Sequence, residues 1–235
     1  MEIFVNILFY IFVFSIVIQL FYAFYFFKKL STFKKNESQF QKGVSVIICA
    51  KNEDINLEKN LSSFLKQNYP FYEVIVVNDQ SVDRTKYVLQ DFEKHNFNLK
   101  VVTIEENVMH RPGKKFALTM GLKAAKYDYV LLSDADCMAN SENWLKQMVS
   151  SFSEKDIILG FGAYKKKKGL LNKFIRFDTF QVALQYFSYS LSGIPYMGVG
   201  RNLAYKKSLF FENKGFASHL HVPSGDDDLF IQEVA

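Results

Sequence analysis

Two carboxylates one residue apart, Asp134 and Asp136, close the apolar run "YVLLSDADCM" at positions 129–138. On a strand, residues i and i+2 share a face, so both acids are expected to point the same way. Like charges held side by side repel, and burying them unpaired is costly. A positive group is therefore expected between them. A second acidic run, "SGDDDLF" at 224–230, sets Asp226, Asp227 and Asp228 in succession. Three such acids suit a helix N-terminus, where the dipole favours negative charge. Asp79 lies in "NDQS", a composition that also makes turns.

The elements around these acids follow a simple alternation. "VSVIICA" reads as a strand, and residues 54–67 as a helix with apolar Leu57, Leu61, Phe64 and Leu65. "YEVIVVND", "LKVVTIE" and "DYVLLSDAD" read as further strands, separated by the helical stretches "VDRTKYVLQDFEKH" and "KKFALTMGLKAAK". Strands alternating with helices at this spacing imply crossover connections and a mostly parallel sheet. Such sheets bind ligands beyond the carboxyl ends of their strands, where "AKNED", "NDQSVD" and "SDAD" all fall. The second half is less regular. It reads as a helix around Trp144, a strand "DIILGFGAY", a lysine run at 165–168 and a long helix over 170–191. "YMGVGRNLAYKKSLF" then reads as a glycine-rich loop or strand leading into a helix.

The first segment has a different chemistry. Residues 3–27 contain no charged side chain. As a helix rising ~1.5 Å per residue, they would cross a hydrocarbon layer of about 30 Å. The start lacks the basic residues of a signal peptide, and no small-residue cleavage site follows. A retained span over 1–28 is expected, with 29–42 as a polar linker and 43–235 as the folded domain. Lys28, Lys29, Lys34 and Lys35 follow the span at once, so the positive-inside rule puts the domain in the cytoplasm, at the cell (inner) membrane. With 49% hydrophobic and 23% charged residues the chain is globular rather than disordered. A net charge of +5 suits an anionic ligand or membrane surface and selects neither. Cys49 and Cys137 lack metal-ligand spacing and are expected as reduced thiols. His95, His110, His219 and His221 form no ligand motif and are expected on the surface or in loops. The aromatic stripe Phe174, Phe177, Phe180, Tyr186, Phe187 and Tyr189 is expected to pack in the core, with an interfacial helix fed by the lysine run as the alternative.

The succession "VSVIICAKNE", "VIVVNDQSVDRT", "PGKKFAL", "LLSDAD", "GVGRNLAYKKSLF" and "GDDDLF" resembles the family 2 glycosyltransferases of GT-A fold, especially the membrane-attached bacterial members. The resemblance covers about residues 44–232. It implies an α/β, Rossmann-like nucleotide-binding fold, a nucleotide-sugar donor, a saccharide or lipid-linked acceptor and a divalent cation. Mg²⁺ or Mn²⁺ takes hard oxygen ligands and would bridge Asp134 and Asp136 to the donor diphosphate. By the same resemblance Ala50, Asn52 and Glu53 line the nucleotide pocket, and Asp79 accepts a hydrogen bond from the base. Lys114 and Lys115 sit where a basic residue approaches ribose or phosphate, unless they are solvated charges at a helix start. Asp226 and Asp227 fill the acidic pair that supplies the catalytic base, leaving Asp228 as an extra acid. Arg201 and Asn202 flank the acceptor, although Arg201 also suits a pairing with an acid of the last motif. Inversion at the anomeric carbon is implied by the family alone.

The chain ends seven residues after Asp228, before the Gln-x-x-Arg-Trp block and further membrane helices that many membrane-attached relatives carry. A short form and a fragment both fit that ending. Two other functions compete. A nucleotidyltransferase would open on a glycine-rich phosphate loop, which "CAKNEDIN" lacks. A catalytically silent, nucleotide-binding partner of another transferase has no need of acids at 134, 136, 226 and 227. The basic residues form no aromatic-interleaved groove, so nucleic acid is not expected as a partner.

Overall fold

The computed structural model describes residues 1–34, 40–105, 113–219, 222 and 225–234. His110, His221 and Lys35 lie outside the described residues, as does part of the expected linker. From the N-terminus the order is α1 (Glu2–Phe21), a π-helical turn (Tyr22–Phe27), α2 (Lys28–Thr32), β1 (Val44–Ala50), α3 (Asp54–Leu65), β2 (Tyr72–Asp79), α4 (Thr85–His95) and β3 (Leu99–Ile104). It continues through α5 (Lys114–Ala124), β4 (Tyr129–Asp134), α6 (Trp144–Val149), β5 (Ile157–Leu159), α7 (Leu170–Leu191), β6 (Leu203–Lys206), α8 (Lys207–Glu212) and α9 (Asp226–Val234). These elements fall into two compact units.

The larger unit takes in Asn36–Gly162 and Gly198–Val234 and holds the sheet, ordered β3-β2-β1-β4-β6-β5. β1 pairs in parallel with β2 and β4, and β2 with β3, as the alternation of strands and helices predicts. β6 is the reversed strand, antiparallel to both β4 and β5. "VSVIICA" is apolar apart from Ser45 because it lies between two parallel neighbours with both faces covered. Val44, Val46 and Ile48 face one core, with Leu57, Leu61 and Phe64 of α3, Leu89 of α4 and Leu145 of α6. Ile47 faces the other, with Leu118 and Leu122 of α5, Tyr205 of β6, Phe210 of α8 and Phe230 of α9. The period of two along the strands thus assigns each helix to a side.

Several elements are shorter than their sequence predicts, α3 and β5 among them. α3 ends at Leu65 rather than at Gln67, because Gln67 turns inward. Its amide donates to the Ser63 and Ser141 carbonyls and its oxygen accepts the Leu145 N–H, tying α3 to α6. β5 keeps only Ile157–Leu159 of the expected "DIILGFGAY". Beyond it the chain covers the Gly200–Asn202 turn, and a Cβ at Gly162 would sit 2.6 Å from Arg201 Cδ.

The smaller unit takes in Met1–Lys35 and Ala163–Met197. Its helical run Glu2–Thr32 is long and apolar enough to cross a membrane, and no residue of α1 within it is buried, whereas Phe26 of the following turn is. α7 spans 170–191 as predicted, but Phe174, Phe177 and Phe180 are exposed, so the expected core packing of the whole stripe does not occur. Tyr186 is buried.

Candidate active site

Strand register sets the floor of the site. Ala50 lies beside Asn78, and Cys49 lies beside Asp134, so the carboxyl ends of β1, β2 and β4 come level. Because β6 is reversed, its start stands next to the end of β4, with Leu203 beside Leu132 and the Ser133 hydroxyl donating to the Arg201 carbonyl at 3.2 Å. Asp134 has the parity of Val130 and Leu132, which face the core shared with α5 and α9. Those two helices begin with Lys114 and Asp226.

Asp134 and Asp136 come together, but not by strand alternation as the spacing predicts. β4 stops at Asp134, and Asp136 sits in a turn closed by the Cys137 N–H donating to the Asp134 carbonyl at 3.1 Å. A carboxylate oxygen of each acid and Cys137 Sγ lie within 4.8 Å of one another. Cys137 was not expected in this cluster, since its spacing carries no metal motif; its adjacency to "DAD" was the only signal. Both cysteines are free, and burial pushes the Cys137 thiol up to about 11, helped by Asp136 and Asp134. The Asp134–Asp136 pair, with Asp136 exposed, offers hard oxygen ligands that fit a divalent cation such as Mg²⁺ or Mn²⁺.

The positive group beside Asp134 is Lys114, whose Nζ lies 3.0 Å from Oδ1. Burial works to lower the pKa of this ammonium, but Asp134, Asp227 and Asp226 outweigh it and hold it above the ordinary lysine range. One lysine thus feels the acids of both motifs, which places the end of β4 and the start of α9 around a single charge.

Asp227 is the perturbed acid of the second run. Its carboxyl is pushed up to about 7, chiefly by burial and then by Asp226, while Lys114 and a hydrogen bond from Gly200 pull it down. The Gly200 N–H donates to Asp227 Oδ2 at 2.7 Å. A Cβ at position 200 would run into that carboxylate, so glycine is what permits the approach. Nothing in the sequence ties Gly200 to Asp227 across this separation. Burial also raises Asp228, against a hydrogen bond from the Gly198 N–H. Asp226 Oδ2 and Asp228 Oδ1 are buried without a hydrogen-bond partner among the described residues.

The loops after β1 and β2 are stitched to each other. Asn52, at φ 57°, takes the left-handed conformation that asparagine tolerates. Its N–H donates to Ser81 Oγ, and its Oδ1 accepts the Val82 N–H, both at 2.9 Å. The Glu53 N–H donates to Thr85 Oγ1, and Glu53 Oε2 accepts from Asn56 at 2.6 Å. Both residues therefore use these polar atoms to shape the loop at the strand end that the resemblance assigns to the nucleotide pocket. Ala50 is buried beneath them. Asp79 is buried too, and its Oδ1 has no partner among the described residues. An acceptor left unpaired in that way costs about 1–3 kcal/mol unless a ligand meets it.

Three expectations meet a different arrangement. Lys115 is neither solvated nor directed at a phosphate: its Nζ donates to the His219 and Val222 carbonyls, each at 2.8 Å. The Asn202 amide is drawn inside, accepting from Trp144 Nε1 and donating to the Phe161 carbonyl, both at 3.2 Å. Those two bonds hold the side chain in a buried position at the start of β6. His219 is buried in a short turn with Glu233 and Ser218 rather than on the surface. His95 is exposed at the end of α4.

Comparison with known proteins agrees with this architecture. The sequence profile of "Glycosyl transferase family 2" matches residues 45–211. The poly-beta-1,6-N-acetyl-D-glucosamine synthase of Staphylococcus epidermidis is 37% identical over 124 residues, covering 51% of this chain and 29% of the synthase. An uncharacterized glycosyltransferase of Haemophilus influenzae is 31% identical over 121 residues, covering 52% of this chain and 36% of its own. The match therefore spans only about a third of the length of these relatives. Among solved structures, the mannosyltransferase PcManGT of Pyrobaculum calidifontis, in complex with GDP-Man and Mn²⁺, superposes with a TM-score of 0.65 at 22% identity, over 91% of this chain and 61% of that one. TarS residues 1–349 of S. aureus with UDP-GlcNAc gives 0.57 at 21% identity, over 82% of this chain and 53% of that one. At these identities the likeness is one of fold. The profile, by contrast, runs from β1 through α8 and spans most of the sheet whose strand ends carry the acids. This chain belongs to glycosyl transferase family 2.

Proposed function

We propose that this chain transfers a sugar from a nucleoside-diphosphate-sugar donor to an acceptor hydroxyl, with inversion at the anomeric carbon. The observation that carries the reading is Lys114, which pairs with Asp134 and is held protonated by Asp227 and Asp226 as well. A metal-type acid pair and a base-type acid pair then share one cleft at the strand ends. Asp134 and Asp136 would hold Mg²⁺ or Mn²⁺, which supplies Lewis-acid stabilisation of the leaving diphosphate when bound. Ala50 and Asp79 line the nucleotide side, the unpaired Asp79 oxygen accepting from the base ring N–H, while Asn52 and Glu53 hold the loop around it. Lys114 faces the diphosphate.

On the acceptor side, Asp227 takes the proton of the attacking hydroxyl. The acceptor oxygen bonds to the anomeric carbon as the bond from that carbon to the diphosphate oxygen breaks, and the electron pair leaves on the diphosphate. A carboxyl with its pKa near 7 is suited to this, because it is half ionised at neutral pH and basic enough to accept a proton. Asp226 supports the raised pKa, and Arg201 stands at the acceptor end of the turn. The acceptor is a saccharide or a lipid-linked one. UDP-GlcNAc and GDP-Man, present in the TarS and PcManGT structures, are the first donors to test.

Residues 1–28 are read as a single membrane anchor, 29–42 as linker and 43–235 as the transferase domain, with that domain on the cytoplasmic face. Support comes from the uncharged apolar helix and the lysines that follow it. The test is a donor screen on full-length protein in detergent, measuring release of UDP, GDP and other nucleoside diphosphates with Mn²⁺ or with EDTA. Mn²⁺-dependent release from one donor is expected. Release from none, with the chain folded, would overturn the reading.

A further inference from the structure

α7 has two halves with opposite surroundings. Its buried side chains, Ala183, Tyr186 and Ser188, all lie in the second half. The first half turns outward, with Leu170, Leu171, Phe174, Phe177 and Phe180 each more than half exposed. At about 100° per residue these five fall within half of the helix circumference. Lys173 and Asp178, both exposed, fall on the same arc, and a cluster of exposed apolar side chains of this size on a folded chain is normally covered. Directly before it stand Lys165, Lys166, Lys167 and Lys168, all exposed, and Lys173 and Arg176 follow on the helix itself. Asp178 is the single acid on that half. The pattern of long apolar side chains with flanking cations fits an anionic lipid surface, where the stems of lysine and arginine can run along the apolar layer.

The other end of α7 says where that surface would be. Tyr189 stacks on Phe26 with ring centroids 4.4 Å apart, and its hydroxyl lies 3.2 Å from that of Tyr22. Tyr196 packs edge-on against Tyr189. Phe26 and Tyr22 belong to the aromatic turn that ends the apolar run, immediately before Lys28 and Lys29. Aromatic side chains followed by lysines mark the level at which a membrane helix leaves the hydrocarbon. α7 is therefore fastened, within its own unit, at the water–lipid boundary.

We propose that the first half of α7 lies in the bilayer interface, with its Leu–Phe strip at the acyl boundary and lysines 165–168 against anionic headgroups. This rests on the reading of residues 1–28 as a membrane span. The function it supplies is a second attachment, which keeps the polypeptide between β5 and β6 at the membrane surface.

The test places single tryptophans in the full chain reconstituted into vesicles of phosphatidylcholine with or without phosphatidylserine. Phe177→Trp reports the strip and Ile11→Trp reports the span, each read as the difference from the unmodified chain with its Trp144. Quenching by brominated lipids is expected for both, deep in the acyl chain for Ile11→Trp and near its headgroup end for Phe177→Trp. Replacing lysines 165–168 by Gln should remove the dependence of Phe177→Trp quenching on phosphatidylserine. If Ile11→Trp is quenched and Phe177→Trp is not, the interfacial helix is wrong and the span stands. Loss of quenching at both positions would sink both readings. Blue-shifted emission from Phe177→Trp without lipid quenching would mean a protein surface covers the strip, which also overturns the proposal. Unchanged phosphatidylserine dependence in the Gln variant would overturn the role of the lysines.

Discussion

The turn after β4 and the start of α9 both present clustered aspartates, and their surroundings differ. Asp134 and Asp136 stand at the open end of a strand, where Asp136 is exposed and Asp134 has a lysine at 3.0 Å. Asp227 lies against backbone, with the Gly200 N–H on one oxygen, an acid next to it and little water, and its carboxyl is pushed up to about 7. Identical side chains thus acquire different chemistry from burial and neighbours. An open pair can hold a cation, whereas a sheltered acid can move a proton.

The largest expected effect tests the sheltered half. Asp227→Asn should lower turnover by ~10²-fold or more, the usual loss on removing a positioned base. Donor affinity, measured by titration calorimetry with Mn²⁺, should hardly change. A variant that turns over normally would remove Asp227 from the chemistry. Equal loss in donor affinity would instead join it to the acid turn and erase the contrast.

The open half gives the opposite split. Asp134→Asn and Asp136→Asn should each weaken Mn²⁺-dependent donor binding by about 10- to 100-fold, the range of one lost charge-assisted contact. Thermal unfolding without metal should move little, since neither acid is in the core. Donor binding that is indifferent to EDTA would show that the turn holds no cation.

Gly200→Ala sharpens the comparison by disturbing only the shelter. The new Cβ collides with the Asp227 carboxylate, and overpacking of this kind costs about 1–3 kcal/mol of stability. Denaturant unfolding should show that loss, and turnover should fall while donor affinity is kept. Native stability with native turnover would mean the close approach of Asp227 to Gly200 is not present in solution.

The smallest effects are shifts along the pH axis. As a base Asp227 must be ionised, so kcat/KM should rise with pH through about 7. Asp226→Asn removes a like charge and should move that limb to lower pH, while Lys114→Met removes an attractive one and should move it up. Stability carries the reverse sign. The folded pKa lies above the ordinary 3.8, so the contribution of this group is full below about pH 4 and is lost as pH rises through about 7. Limbs that move together in both variants would place the titrating group elsewhere.

Much of the fold was legible in the chain because the signals are local. β1 and β2 carry the bounds that their apolar runs predict, and α7 begins and ends where its pattern does. The acids and their strand-end positions were legible too, since a turn after an apolar run is a local event. What those side chains meet was not. Lys114 and Lys115 are neighbours of one type, yet one reaches Asp134 and the other the carbonyls at 219 and 222. Asn202 reads as a polar residue next to Arg201, and only its bonds to Trp144 Nε1 and the Phe161 carbonyl turn it inward. Asp226, Asp227 and Asp228 are alike in sequence, and the approach of Gly200 singles out Asp227. Residue type and spacing determined where charge would gather at the strand ends. Which charges are open to water, and which are sheltered and raised, depends on contacts between residues far apart in the chain, so only the tertiary structure decided it.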